Sequence, residues 1–413
     1  MHGPLCFRGG RATPGRQGAQ AVDARAPAKR RAWSWRSRAA RGLVYQVVAL
    51  ALIAAGVWFL AFNTQRNMEV RGIQSGFDFL GQAAGFDIGE TLVAYDPSQS
   101  YGRAIVIGVL NTLRVAVVGV ILTTMLGVLV GVGRFSRNAL VRGLCYGYVE
   151  LFRNVPILLQ LLMWYLFFVE VLPQPNEAWK LADLFFLSKG GLSFPVPVWG
   201  TGQGLAAVGA VLGLGVGWWW RRRVHRHFEL TGQDGNRWAV PVAAFFGLAF
   251  VGWLAGGAPT AWNVPEQQAF QVDGGAAVTP EFMAVLVGLV MYTAAFVAEV
   301  VRGGIQSVSH GQTEASGALG LSRGQTMKLV ILPQAMRVII PPLTNQYLNL
   351  TKNSSLAVAI GYPDVVSIAN TTLNQSGRAV ECIAIIMLVY LTTSLSTSAL
   401  MNAYNKRVAI KER

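Results

Sequence analysis

Apolar residues in this chain gather into long unbroken runs, at 43–62, 105–132, 143–169, 203–220, 239–256, 281–301, 338–360 and 379–402. A run of about 20 residues, rising 1.5 Å per residue as a helix, crosses a hydrocarbon core of about 30 Å. The pattern predicts an all-α integral membrane protein of about eight transmembrane helices. The polar intervals organise it further. Residues 63–104 hold Glu69, Asp78, Asp87, Glu90 and Asp96, and the partly apolar words FDFLGQAAGFDI inside them predict a piece lying on the membrane rather than a free linker. Residues 173–280 shift to Gly, Pro and Trp and carry two of the runs. The first of these places Gly209, Gly213 and Gly217 at the four-residue spacing that lets helix backbones approach closely. This interval reads as an inserted two-helix hairpin. Residues 302–337 form a polar, glycine-punctuated island between two apolar runs.

Composition agrees with this class. The chain is 53% hydrophobic and 13% charged, about half the charge of an average soluble domain. A net charge of +15 could suit nucleic acid, but Lys and Arg gather at the ends of apolar runs, which excludes that reading. Arg134, Arg137 and Arg142 follow the second run; Arg221, Arg222, Arg223, Arg226 and Arg237 the fourth; Arg302, Arg323, Lys328 and Arg337 the sixth; Lys406, Arg407, Lys411 and Arg413 the eighth. The remaining intervals are poor in base, so both termini and the island are expected on the cytoplasmic side and residues 63–104 on the periplasmic side. Residues 1–42 are strongly basic with the single acid Asp23 and are expected to be disordered; their first 30 or so also fit an over-extended start. The run 43–62 reads as a retained anchor, with a cleaved signal peptide as the competing reading. Residues 105–172 and 281–405 make the core, and 406–413 a cytoplasmic tail. Cys6, Cys145 and Cys382 are odd in number and far apart, which indicates neither a disulfide frame nor a metal set.

The seventh run carries Asn345, Asn349, Lys352 and Asn353 in what should be hydrocarbon, and Asn345, Asn349 and Lys352 or Asn353 share one helical face. An intramembrane Lys costs at least about 2.5 kcal/mol on insertion scales, so such a face turns inward or to a wet cavity. It reads either as a path for a polar solute or as a structurally satisfied face. Glu299 is a poor partner for Lys352, because the two lie at different depths. Glu150 with Arg153 and Glu299 with Arg302 are Glu-x-x-Arg pairs near the cytoplasmic edge: either local ion pairs worth about 0.2–0.5 kcal/mol each, or parts of a gate. His225 and His227 in RRRVHRH sit on a solvated basic face without carboxylates or thiols to complete a metal site. No GxxxxGK[ST] phosphate loop and no catalytic triad is present, so this chain is not itself the nucleotide-hydrolysing engine.

In the island, Glu314-Ala315-Ser316 is followed after three residues by Gly320, and after nine more by Val330, one spacer and Leu332-Pro333. Gln312-Thr313 offers a cap before Glu314, Gly320 a helix stop and Ser322 a second cap, which predicts two short helices. The spacing resembles the EAA coupling loop of the membrane subunits of ATP-binding cassette importers, with Ser316 at the second Ala and Val330 at the usual Ile. The words YTAAFVAEVVRGGI and LTKNSSLAVAIGYPD, with GVLNTLRVAVVG and ELFRNVPILLQL, resemble the polar amino-acid branch, and the long basic start with the inserted hairpin looks like the larger permease chain of general L-amino-acid importers.

The resemblance implies a type I importer permease core in a bacterial inner membrane. It further implies a second permease chain (a relative rather than a copy), two ATPase subunits and a periplasmic amino-acid-binding protein, with ATP bound by the partner and no cofactor in this chain. Glu314, Ala315, Ser316, Gly320, Leu332 and Pro333 would then form the ATPase-docking loop. Importers of opines or small peptides, and a secondary ion-coupled amino-acid carrier, remain as alternatives.

Overall fold

The computed structural model describes residues 38–408 apart from 71, 73, 74 and 232–234, with side chains described from 41 to 405. The chain divides into two units, residues 1–72 and 73–413. The described part of the first is essentially one helix, α1 (Arg38–Val70). It contains the anchor run but begins before it, so residues 38–42, expected to be disordered, form its first turn. The rest of the basic start and the end of the tail lie outside the described residues.

The second unit contains α2 (Tyr101–Gly133), α3 (Ala139–Asn154), α4 (Ile157–Leu166), α5 (Thr201–Thr231), α6 (Ala239–Ala255), α7 (Pro280–Gln306), α8 (His310–Ala318), the single turn α9 (Arg323–Gln325), α10 (Leu332–Asn353), α11 (Val365–Ser376) and α12 (Ala379–Val408). Helix α7 is central: its buried stripe from Phe282 to Gly304 packs on α2, α3, α4 and α10. Close approach of α2 requires glycine, since a Cβ at Gly127 would lie 2.5 Å from Val297 Cγ1 and one at Gly131 2.9 Å from the Ala298 carbonyl.

Of the eight apolar runs, five lie in long continuous helices, α1, α2, α5, α7 and α12, and α6 has only 17 residues. The other two are bent. The run 143–169 is not one straight span: α3 and α4 meet at 105° at Val155-Pro156, because proline cannot continue the ladder. The buried Gln160 amide donates to the carbonyls of Phe152 at 3.0 Å and Val155 at 2.8 Å, two groups that the break would leave unpaired. The seventh run passes from α10 through a 3₁₀ stretch, Ser354–Ile360, and bends by 51° into α11.

The words FDFLGQAAGFDI pack on this unit's own helices: Phe79, Ala84 and Ile88 are buried against Tyr101, Ala104, Ile368 and Cys382. Glu381 accepts from the Gly76 amide at 2.7 Å, and Arg378 donates to Asp78 at 3.2 Å, clasping the segment to the turn between α11 and α12. The insert, besides its hairpin, carries short strands β1 (Trp179–Leu181), β2 (Phe185–Ser188), β3 (Gly191–Phe194), β4 (Val196–Pro197), β5 (Trp262–Asn263), β6 (Glu266–Gln267), β7 (Val272–Asp273) and β8 (Ala276–Val278). Antiparallel β1-β2-β3-β8 form one sheet, while β4-β5 and β6-β7 pair separately. The fold remains predominantly helical. Helices α5 and α6 pack chiefly on each other through Gly209, Gly213 and Gly217; a Cβ on Gly213 would lie 2.5 Å from the Phe245 Cα.

Candidate coupling loop and polar face

The island between α7 and α10 folds as a projecting knuckle. Helix α8 starts at His310 after Ser309, whose side chain makes no capping bond, so the cap expected at Gln312-Thr313 is displaced. Glu314 therefore sits in the second turn, where it accepts from or is paired with His310 Nδ1 at 3.0 Å; a helix amino end does not hold it. Around it, His310 to Ala315 are exposed, whereas Ser316 is buried and donates to the Thr313 carbonyl at 2.8 Å. Only a small side chain suits that inward position.

Gly320 ends the helix with φ +74°, and no heavy atom lies within 4 Å of the place a Cβ would occupy. Left-handed backbone, and not crowding, is what selects glycine here. The Gly320 amide donates to Gly317 at 2.9 Å and that of Leu321 to Ser316 at 3.1 Å, satisfying the last carbonyls. Ser322 then makes a reciprocal capping box with Gln325. A π-helical stretch, Thr326–Ile331, leads into α10, and Gln334 donates to Gln312 at 3.3 Å, tying the knuckle to the start of that helix. Leu319 is 79% exposed at the tip, and Leu332 and Pro333 are exposed nearby. The result is a braced surface with an apolar tip.

On α10, Asn345, Asn349 and Lys352 are exposed along one side and Asn353 is half-buried, while Leu343, Tyr347, Leu350 and Thr351 are buried on the other. Tyr347 and Thr124 share a hydrogen bond of 2.8 Å that holds this face outward from α2. Glu299 does not pair with Lys352. Its carboxylate instead takes Arg302 from its own helix, with Nε 3.1 Å from both oxygens, Arg134 from the end of α2, and Arg153 from α3 at 3.8 Å. The local Glu150–Arg153 pair does not form: Glu150 accepts from Asn154 at 3.3 Å and Arg153 turns to Glu299. The two Glu-x-x-Arg words thus meet through one carboxylate, and Arg134, which the sequence reading passes over, completes the cluster.

Sequence reasoning also misses a cluster on the opposite side. Glu90 is buried and pairs with Arg114 and Thr279; Asn111 donates to the carbonyls of Glu90 and Pro363 at 2.9 Å; Arg114 stacks 4.0 Å from the Phe282 ring centroid. A cavity of about 440 Å³ lined by Asp87, Glu90, Glu281 and Thr371 adjoins it. The available signal was Arg114 itself, a charge inside the apolar run 105–132, which a bilayer tolerates only with a partner.

Comparison with known proteins gives the family. Residues 123–410 match the model described as binding-protein-dependent transport system inner membrane component. The general L-amino acid transport system permease protein AapQ of Rhizobium johnstonii is 43% identical, with 95% of this chain and 99% of the relative aligned. The glutamate/glutamine/aspartate/asparagine transport system permease protein BztB of Rhodobacter capsulatus is 41% identical, over 90% and 95%. Among solved structures, that of an amino acid ABC transporter with histidines is similar at 20% identity with a TM-score of 0.44, covering 74% of this chain and 95% of the other. This chain belongs to the family of binding-protein-dependent transport system inner membrane components, the multi-pass permease subunits of ATP-binding cassette importers, whose ATPase is a separate partner.

Proposed function

We propose that this chain is one membrane-spanning half of an importer that moves polar L-amino acids inward across a bacterial inner membrane, with both termini cytoplasmic. The observation that carries the reading is the braced knuckle of α8, exposed on a multi-span chain and closed by a left-handed Gly320. The amino-acid substrate class rests on the relatives aligned above over nearly their whole length. Two permease chains, two ATPase subunits and a periplasmic amino-acid-binding protein make up the machine, and ATP is bound by the ATPase pair.

In this mechanism ATP closes the ATPase pair and carries the knuckle with it. Glu314, Ala315, Ser316, Gly320, Leu332 and Pro333 form the docking loop, Ser316 as its inward anchor. Movement passes into α10, whose face of Asn345, Asn349, Lys352 and Asn353 lines the path, and into α7 through Glu299. That carboxylate, gripped by Arg134, Arg153 and Arg302 with Glu150 beside them, ties the inner ends of α2, α3 and α7 into one gate. Coupling requires ATP to bind the two states unequally: a swing from 1:99 to 99:1 needs about 5.5 kcal/mol. The test is uptake of radiolabelled amino acids into vesicles holding the assembled system. Uptake that stops without ATP, and a Gly320→Asp variant that inserts but no longer links hydrolysis to uptake, are expected; uptake driven by an ion gradient alone would overturn the reading.

A further inference from the structure

The basic word RRRVHRH has no part in docking or in the polar face, yet its geometry is specific. Helix α5 has 31 residues, about 46 Å, whereas its partner α6 has 17, about 25 Å. The excess projects beyond Trp218, Trp219 and Trp220 at the basic end, and those aromatic residues mark the level of the interface. In the projecting turns Val224 alone is buried, against the α6 side, where a Cβ on Gly235 would come within 3.2 Å of it. At 100° per residue, Arg222, Arg223 and Arg226 fall together on the opposite face. All three are exposed, and among the described residues none of them has an ion-pair partner; Glu229, one turn on, sits 3.4 Å from His225 instead. Two of these guanidiniums are seated on tryptophan rings one turn below, Arg222 3.7 Å from the centroid of Trp218 and Arg223 5.3 Å from that of Trp219, while Arg221 stacks at 3.9 Å on Trp238, the residue just before α6.

We propose that the face formed by Arg222, Arg223 and Arg226 above Trp218 and Trp219 binds the phosphate headgroup of an anionic phospholipid in the inner leaflet. Rings on the membrane side and unpaired planar cations just above them match the order of acyl chain and headgroup phosphate, and guanidinium forks suit phosphate oxygens. The hairpin packs chiefly on itself, so a lipid held at its inner end would fix its standing in the bilayer. The leaflet follows from the orientation proposed above. A Glu229→Cys variant that labels only from outside would overturn that orientation, separately from the site itself.

The test uses the full chain assembled with its ATPase in vesicles of equal parts phosphatidylglycerol and phosphatidylcholine, with a photoactivatable headgroup on one lipid or the other. Adducts on residues 218–226 should favour phosphatidylglycerol at least fivefold, roughly the gain one basic residue gives at an anionic surface. R222Q/R223Q/R226Q should bring the ratio near one, and R222K/R223K/R226K, which keeps charge and topology but loses the stacked forks, should fall between the two. Equal labelling of the natural chain by both lipids, an unchanged ratio in the Gln variant, or crosslinks from this face to the ATPase in place of lipid would each refute the proposal.

Discussion

Gly320 can be tested in a way that separates conformation from bulk. Its φ of +74° lies where an L-residue with a Cβ is strained, yet the space beside it is open. Gly320→Ala should therefore cost about 1–2 kcal/mol from backbone strain alone. Gly320→Asn, though larger, should cost less, because asparagine visits this region readily. Relief of the strain requires the hydrogen bonds from Gly320 to Gly317 and from Leu321 to Ser316 to open, which melts the end of α8. If the formed knuckle is what the ATPase grips, 1–2 kcal/mol becomes a weakening of about 5–30-fold in the affinity of purified ATPase for the permease. The assay is titration of the ATPase subunit onto detergent-solubilised permease. Expected are an Ala variant in that range and an Asn variant within about threefold of the natural chain. An Ala variant binding normally, or an Asn variant as weak as Ala, would refute the assignment of the loop's shape as the thing recognised.

Other outcomes follow from particular contacts. Glu299→Gln leaves Arg134, Arg153 and Arg302 facing one another; with the cluster about a quarter exposed, a loss of about 1.5–3 kcal/mol is expected, read as a lower unfolding temperature that recovers partly at high salt. An unchanged melt would show that the arginines find water equally well. Gln160→Leu strips the Phe152 and Val155 carbonyls of their donor at the bend and should destabilise by about 1–3 kcal/mol in the same assay. Gly213→Val cannot fit 2.5 Å from the Phe245 Cα, so amides of α5 and α6 should exchange hydrogen at least about tenfold faster while those of α7 keep their protection; uniform acceleration would contradict a self-packed hairpin.

Much of this architecture is legible because a bilayer imposes a length and a polarity that one sequence cannot hide. The apolar runs fall where helices form, and the glycine spacing at 209, 213 and 217 marks a close helix pair. The bend at Pro156 escapes, although its proline is in plain view, since apolarity continues across it from α3 into α4. Strands of two to four residues are shorter than any period can register. The Glu299 cluster escapes for another reason: Arg134 lies 165 residues away in the chain, and only packing of α2 on α7 brings it near. The start of α8 is misplaced by three or four residues because its Ser309 cap has no side-chain bond and Gln312-Thr313 offers the same chemistry. In Gly320 the residue is legible but the cause is not, for only dihedral angles distinguish a left-handed turn from a crowded one.

The polar side of α10 sets a requirement on the partner. Asn345, Asn349 and Lys352 face away from this chain's own core, and lipid is a poor neighbour for them. Under the proposed function that cover is a second permease, whose matching face would close the proposed polar path between the two. If that partner were a copy, two-fold symmetry would bring two Lys352 ammonium groups toward the same axis. At a separation of about 8 Å and an effective dielectric of about 20, their repulsion is about 2 kcal/mol, added to the cost of burying each. A related chain with a neutral or acidic residue at that level removes the repulsion and can turn the lysine into a one-sided recognition charge for a carboxylate solute. This favours an asymmetric pair and makes Lys352 the residue through which the asymmetry should be felt. Lys352→Met should leave two such halves able to co-purify but deprive the proposed path of this charge, so uptake of acidic amino acids into vesicles should fall more than that of neutral ones; an equal fall would refute the assignment.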